Sequence, residues 1–141
     1  MVINIIQTLL AGFLASVVWF FAGFVLYMNP VVAKSYKKFE NAHGLKKWTN
    51  VTKYLVNMYV LGILIPSLLF AFVYALVKPA LPGGILPKAL LFGLILVAVK
   101  IFPRFADMYM QTAYPNKLLA VEFINGTICS FVIALIFALT I

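Results

Sequence analysis

The sequence predicts an all-α protein, a four-helix transmembrane bundle with an amphipathic interfacial helix between spans one and two. Three observations lead there. The chain of 141 residues is 65% hydrophobic and 10% charged, and its mean hydropathy is +1.10, well outside the range of soluble domains. Its apolar residues gather in four runs, each near the length a helix needs to cross a hydrocarbon core of about 30 Å. Between the runs stand asparagine, proline, glycine and lysine clusters, which end helices and mark a membrane boundary.

Composition also excludes several function classes. A formal net charge of +8 would suit nucleic acid on a soluble chain. Here the basic residues flank apolar runs, so anionic lipid headgroups and membrane orientation account for them, and nucleic acid is not an expected partner. The chain has one cysteine, Cys129, and one histidine, His43. An intrachain disulfide, a CxxC pair, a cysteine-rich zinc or iron–sulfur site and bis-histidine haem are therefore all out of reach, and no metal ligand set is expected. A bound lipid, quinone or pigment needs only an apolar groove and one polar contact, so the cofactor question stays open. The first apolar run lacks a basic n-region and is too long for a signal peptide, so it reads as a span.

Span one is expected over about residues 3–28, with Asn4, Gln7 and Thr8 at its polar start. Gly12-x-x-x-Ser16, beside Ala11 and Ala15, forms a small-residue face for close helix packing. Trp19, near mid-span, reads as a large side chain filling a groove between helices. Asn29-Pro30 ends this span and begins the next helix, because asparagine caps well and proline is tolerated in a first turn. Residues 30–51 read as the interfacial segment. Within it, Pro30–His43 is a short amphipathic helix with Val32, Ser35, Tyr36 and Phe39 on one side and Gly44 as its stop. Lys34, Lys37, Lys38, Lys46, Lys47 and Trp48 are candidate headgroup contacts, the lysine stems lying along the apolar layer.

Span two is expected over about 52–77, with Pro66 kinking it and Gly62 allowing close approach. The Pro/Gly-rich stretch Lys78–Lys88 is a stiff hairpin. Span three carries a length argument. The apolar run from Pro87 to Pro103 holds about 16 residues, or about 24 Å, short of the hydrocarbon thickness. The helix is therefore expected to continue through a kink at Pro103, giving a span over 87–112. That places Arg104 and Asp107, three residues apart on one helical face, at the membrane boundary. Tyr114-Pro115-Asn116 turns the chain into span four, about 117–140. Nine of the eleven lysines and arginines border the first and third connections, Lys100, Arg104 and Lys117 being counted with the third. The first and third connections are accordingly expected in the cytoplasm and both termini outside, in a prokaryotic cytoplasmic membrane.

The candidate site lies at the start of span four. Glu122 is a carboxylate one to two turns inside an apolar run, a costly position unless it is paired, protonated or wetted. Arg104 and Asp107 are its expected partners. Asn125, Cys129 and Ser130 follow it at helical spacing, and Gly126-x-x-x-Ser130 beside them is a second close-packing face. The intramembrane cluster Glu122, Arg104, Asp107 and Asn125 has two readings. One is a structural ion pair fixing the register of spans three and four, and the other is a step in a proton or ion relay. A single acid near one end of a span makes no pathway, so the structural reading leads. No HExxH motif or nucleophile–base set is present, so no catalytic residue is assigned and the chain is not expected to be an enzyme.

The leading functional expectation is a non-catalytic subunit or scaffold of a membrane protein complex, assembled as a homo-oligomer or within a larger complex and in contact with anionic lipids. The alternative is an oligomeric transporter or channel using the Glu122/Asn125 stripe. The stretch Lys78–Ile141 joins a Pro/Gly hairpin, Leu91-Phe92-Gly93, Phe102-Pro103, Ala113-Tyr114-Pro115-Asn116 and a last span with Asn125-Gly126. It resembles small four-span membrane proteins of prokaryotes. That resemblance implies a fold and carries no activity.

Overall fold

The computed structural model describes residues 3–141. Helix follows helix along the chain, with no strand among the described residues. Four helical stretches of 24 to 30 residues are long and apolar enough to cross a membrane: Ile5–Met28, Val51–Ala80, Ile85–Gln111 and Asn116–Thr140. They mark the chain as an integral membrane protein built as a helical bundle.

Asparagines start the first three helices. Span one is α1 (Ile5–Met28), and the Asn4 side chain accepts from the Gln7 N–H at 3.1 Å. Asn29 caps α2 (Pro30–Lys38) by accepting from the Val31 N–H at 2.9 Å, with Pro30 in the first turn. Asn50 caps α3 (Val51–Tyr59), accepting from the Lys53 N–H at 2.9 Å. Each satisfies a donor that the first helical turn leaves orphaned.

Spans two and three each contain a π turn immediately before a proline. Span two is α3, the π turn Val60–Leu64, α4 (Ile65–Val77) and a short 3₁₀ turn, Lys78–Ala80. Span three is α5 (Ile85–Leu96), the π turn Val97–Ile101 and α6 (Phe102–Gln111). Pro66 and Pro103 lack an N–H, and a proline ring clashes with the carbonyl four residues back. Widening the preceding turn relieves that clash. The Ile65 N–H closes on the Val60 carbonyl, and the Phe102 N–H on the Val97 carbonyl.

Span four is α7 (Asn116–Thr140). It packs on α1 and α5, while α4 packs on α1 and also touches α7. Spans two and three are joined by a tight hairpin in which Gly83 takes a positive φ of 83°. They meet through the Tyr74 and Phe92 rings, whose centroids are 5.0 Å apart. Phe137 completes the triangle at 6.0 Å from Tyr74 and 6.1 Å from Phe92. The core lies in this hairpin half of the bundle, with Ala11 and Ala15 from α1, Ala71 from α4, Leu96 from α5 and Ile133 from α7. Gln7 donates to the Thr140 carbonyl at 2.7 Å, and Lys78 donates to the Ile141 carbonyl, tying the helix ends there.

Small residues let these helices approach closely. A Cβ on Gly12 would stand 3.0 Å from the Leu68 Cα, and one on Gly126 would stand 2.7 Å from Ile101 Cδ1. Ser16 and Ser130 are fully buried, and their hydroxyls donate to the Phe13 and Gly126 carbonyls, each at 2.7 Å. Both small-residue faces named by the sequence are thus occupied inside one chain.

The other half, nearer the basic connections, is looser. Neither α3 nor α6 contains a buried residue. An apolar trough of about 540 Å³ separates Val17, Phe20 and Phe21 on α1 from Leu55, Val56 and Tyr59 on α3. Two contacts floor it: Ser16 and Tyr59 hydroxyls 3.0 Å apart, and Phe20 edge-on to Tyr59 at 5.6 Å. The segment after α2 also departs from expectation. The helix ends at Lys38 rather than His43, and the chain turns through Phe39–Ala42. Gly44, at φ 89°, lies against the Ala113–Tyr114 backbone, where a Cβ would stand 3.1 Å from the Ala113 carbonyl carbon. At Gly44 the first connection folds over the third.

Candidate functional site

Two polar centres sit at the looser half. The first is built on Glu122, in the second turn of α7. Its Oε1 accepts from the Tyr36 hydroxyl at 2.7 Å and from the Tyr114 hydroxyl at 3.2 Å. Its Oε2 faces Arg104 Nη2 at 3.4 Å. Tyr36 comes from α2, Tyr114 from the turn before α7, and Arg104 from α6. Three segments therefore converge on a carboxylate of a fourth, and α2 comes to it from 86 positions away. Tyr27, at the end of α1, packs its ring edgewise on Tyr36 at 6.0 Å.

This geometry is that of an anchored anion. Hydrogen bonds to a charged acceptor contribute about 1.5–3 kcal/mol each, and a phenol buried without its partner would cost a similar amount. The ion pair adds less. The Arg104 side chain is 65% exposed against 24% for Glu122, so water and salt screen it. Burial first, and then the Glu122 carboxylate beside it, push the Tyr36 phenol well above the ordinary tyrosine range. Tyr114 is pushed up as well, again by burial first. Both hydroxyls therefore stay protonated and remain donors.

The structure brings Arg104 to Glu122 and leaves the other two members of the expected cluster apart. Asp107 is exposed on α6 and forms no salt bridge among the described residues. Asn125 is buried in α7, and its amide nitrogen has no hydrogen-bond partner. Tyr36 and Tyr114 are the partners sequence reasoning missed. Helical spacing puts Tyr36 on one side of α2 with Val32, Ser35 and Phe39, and it does not show that the hydroxyl reaches Glu122 on α7. The basic residues of the first connection are exposed. Lys46 Nζ lies 4.5 Å over the Trp48 ring, and Lys47 donates to Asn41 Oδ1 at 2.8 Å.

The second centre is Lys100, counted from sequence with the third connection. Instead its amine points into the bundle. It lies in the π turn of span three, about 22 Å from the start of that span and about 16 Å from its end at about 1.5 Å per residue. Nζ is buried and has no hydrogen-bond partner. It stands 4.0 Å from the Trp19 ring centroid and 5.4 Å from that of Phe70. Cation–π contact of this kind contributes about 2 kcal/mol when desolvated. A charged lysine at the centre of a span costs about 2.5–3.5 kcal/mol even on the mildest scale. The aromatic faces offset part of that cost, and no anion of the chain supplies the rest. The chain has three acidic residues. Glu40 and Asp107 are exposed, and Glu122 is held by its own donors. One sequence signal did point here: Lys100 is the only charge between Lys88 and Arg104, in the run whose length required span three to continue past Pro103.

Among the described residues, no group of three or more histidine, cysteine or acidic side chains could hold a metal ion. Cys129 is buried as a free thiol in α7. No family model, curated protein or solved structure matches this chain.

Proposed function

We propose that this protein is a non-catalytic membrane subunit that assembles through the basic half of its first two spans, with a second copy of itself as the partner. The observation that carries this reading is the trough between α1 and α3, open to the hydrocarbon and flanked by a helix that buries nothing. The small-residue faces that would otherwise drive association are already used within the chain. What remains open is Gly62, exposed and with no atom within 4 Å of where its Cβ would stand, and Gly23 on α1, equally free. Gly23 follows Phe20 and Gly62 follows Tyr59 by about one helical turn, both of those rings line the trough, and the two glycines would let a second backbone approach closely.

A second copy fits better than an unrelated helix for a geometric reason. Trough and unsupported helix belong to the same patch, so a two-fold axis beside α3 would lay each α3 into the partner's trough and close both at once. The exposed lysines of the first connection would then lie along an anionic leaflet on the same side, with α2 as an interfacial helix and this side cytoplasmic. The Glu122 node serves the arrangement by fixing α2 and the third connection to α7.

Cysteine cross-linking in native membranes tests this reading. In a Cys129→Ser background, Val56→Cys is expected to form a cross-linked dimer, and adding Gly62→Leu is expected to reduce it at least tenfold. Absence of cross-linking at Leu55→Cys and Val56→Cys alike would refute it. A second reading, ion movement along α7, draws on the unpartnered Asn125 amide. It requires proton or ion flux in liposomes that Asn125→Leu abolishes.

A further inference from the structure

Lys100 raises a question that assembly does not answer. Its amine is buried at mid-span with no hydrogen-bond partner, and the three acids of the chain are committed elsewhere or exposed. The other buried polar side-chain atoms without a partner are Ser67 Oγ, Tyr74 Oη, Asn125 Nδ2 and Thr127 Oγ1. Every one can donate a hydrogen bond, the Asn125 amide nitrogen can only donate, and Tyr74 lies apart from the rest in the hairpin-half core. Span four contributes at the right height, since Gly126, between Asn125 and Thr127, packs directly on Ile101. Ser67 lies one turn from Phe70, whose ring faces the amine. Unpartnered donors beside a buried lysine amine are complementary to an acceptor-rich anion, which would hold that amine in its charged form.

We propose that Lys100 is the seat of an anionic oxygen group, a carboxylate or a phosphate, carried by an amphiphile that enters sideways from the hydrocarbon between spans two and three. The route follows from the packing. Those two spans meet through Tyr74 and Phe92 in the hairpin half, and beyond the π turns neither α3 nor α6 buries a residue. Lys100 itself is partly exposed along its stem while its Nζ is buried. The side chain therefore leads from the exposed surface of span three to the aromatic pair, and a swing of the stem would offer the amine to a headgroup beside that span. An inorganic ion would have to leave water to reach this depth, whereas an amphiphile arrives already dissolved in the membrane. The apolar tail would remain in the hydrocarbon outside spans two and three.

The test uses the full chain with Trp48→Phe, so that Trp19 is the sole tryptophan, in nanodiscs of phosphatidylcholine. Oleate, phosphatidic acid and inorganic phosphate are titrated separately while Trp19 emission is read. A saturable change with oleate, phosphatidic acid or both is expected, and the responding probe identifies the headgroup as carboxylate or phosphate. Lys100→Met is expected to weaken that response at least tenfold, with Lys100→Gln serving if the methionine variant does not fold. Lys100→Arg is expected to retain it within about threefold. No saturable change in the parent protein, an equal response after removal of the amine, or a response to inorganic phosphate alone would overturn the proposal.

Discussion

Glu122 accepts from two phenols on one oxygen and faces a guanidinium on the other, so its neighbours depend on it as much as it does on them. Replacing it with leucine leaves Tyr36 and Tyr114 without their acceptor, and a loss of about 2–4 kcal/mol is expected. Tyr36→Phe removes one donor only and is expected to cost about 1–2 kcal/mol. Thermal unfolding in nanodiscs reads both, with Tyr109→Phe, exposed on α6, as a control expected to change nothing measurable. The pH dependence follows from the raised phenols. A group with a raised folded pKa contributes fully below the unfolded pKa, here about 10, and that contribution is lost as pH rises through the folded value. The stability gap between the parent and Tyr36→Phe is therefore expected to hold constant from about pH 6 to about pH 9 and to shrink above about pH 10. A gap that closes below pH 9 would show that the phenol is not the donor. At this scale the sequence told part of the story. The length deficit of span three pointed to Arg104 as a partner for Glu122, because helix rise is a fixed quantity. Tyr36 was invisible because it lies 86 positions from Glu122, and no periodicity encodes how connection one folds over connection three.

Helix packing explains why two glycines of α1 should respond in opposite ways. A Cβ at Gly12 meets backbone, the Leu68 Cα at 3.0 Å, and backbone cannot swing aside. Gly12→Ala is therefore expected to separate α1 from α4 and cost about 1–3 kcal/mol. Gly23 has open space, and Gly23→Ala is expected to be neutral or to stabilise the isolated chain by up to about 1 kcal/mol through helix propensity. Equal effects at the two positions, by the same unfolding assay, would contradict this packing. The four spans and the Asn29 cap were legible because hydropathy and cap chemistry are local. The π turns were only half legible. Proline at 66 and 103 announced an irregularity, but whether a helix kinks, breaks or widens depends on neighbours that local sequence does not specify. For the same reason Lys100 read as a boundary residue. The hydropathy profile placed it near the end of its run, and only the tertiary arrangement turned its amine toward Trp19 and Phe70.

Seen whole, the molecule is packed at one end and open at the other. The Tyr74–Phe92–Phe137 triangle closes the hairpin half, while the basic half keeps its polar centres, its trough and most of its lysines. Removing Lys100 from the count of connection charges leaves eight against two, a bias that still favours the proposed orientation. With Cys129 replaced by serine, Ala80→Cys is expected to react with an impermeant maleimide on intact cells, and Lys47→Cys only after permeabilisation; the reverse pattern would invert the topology. Closure of the open half by a second copy is read out by native mass spectrometry of the parent protein in lipid nanodiscs. A dimer that Gly62→Leu converts to monomer is expected, and a parent protein that is monomeric across the accessible concentration range would rule the second copy out.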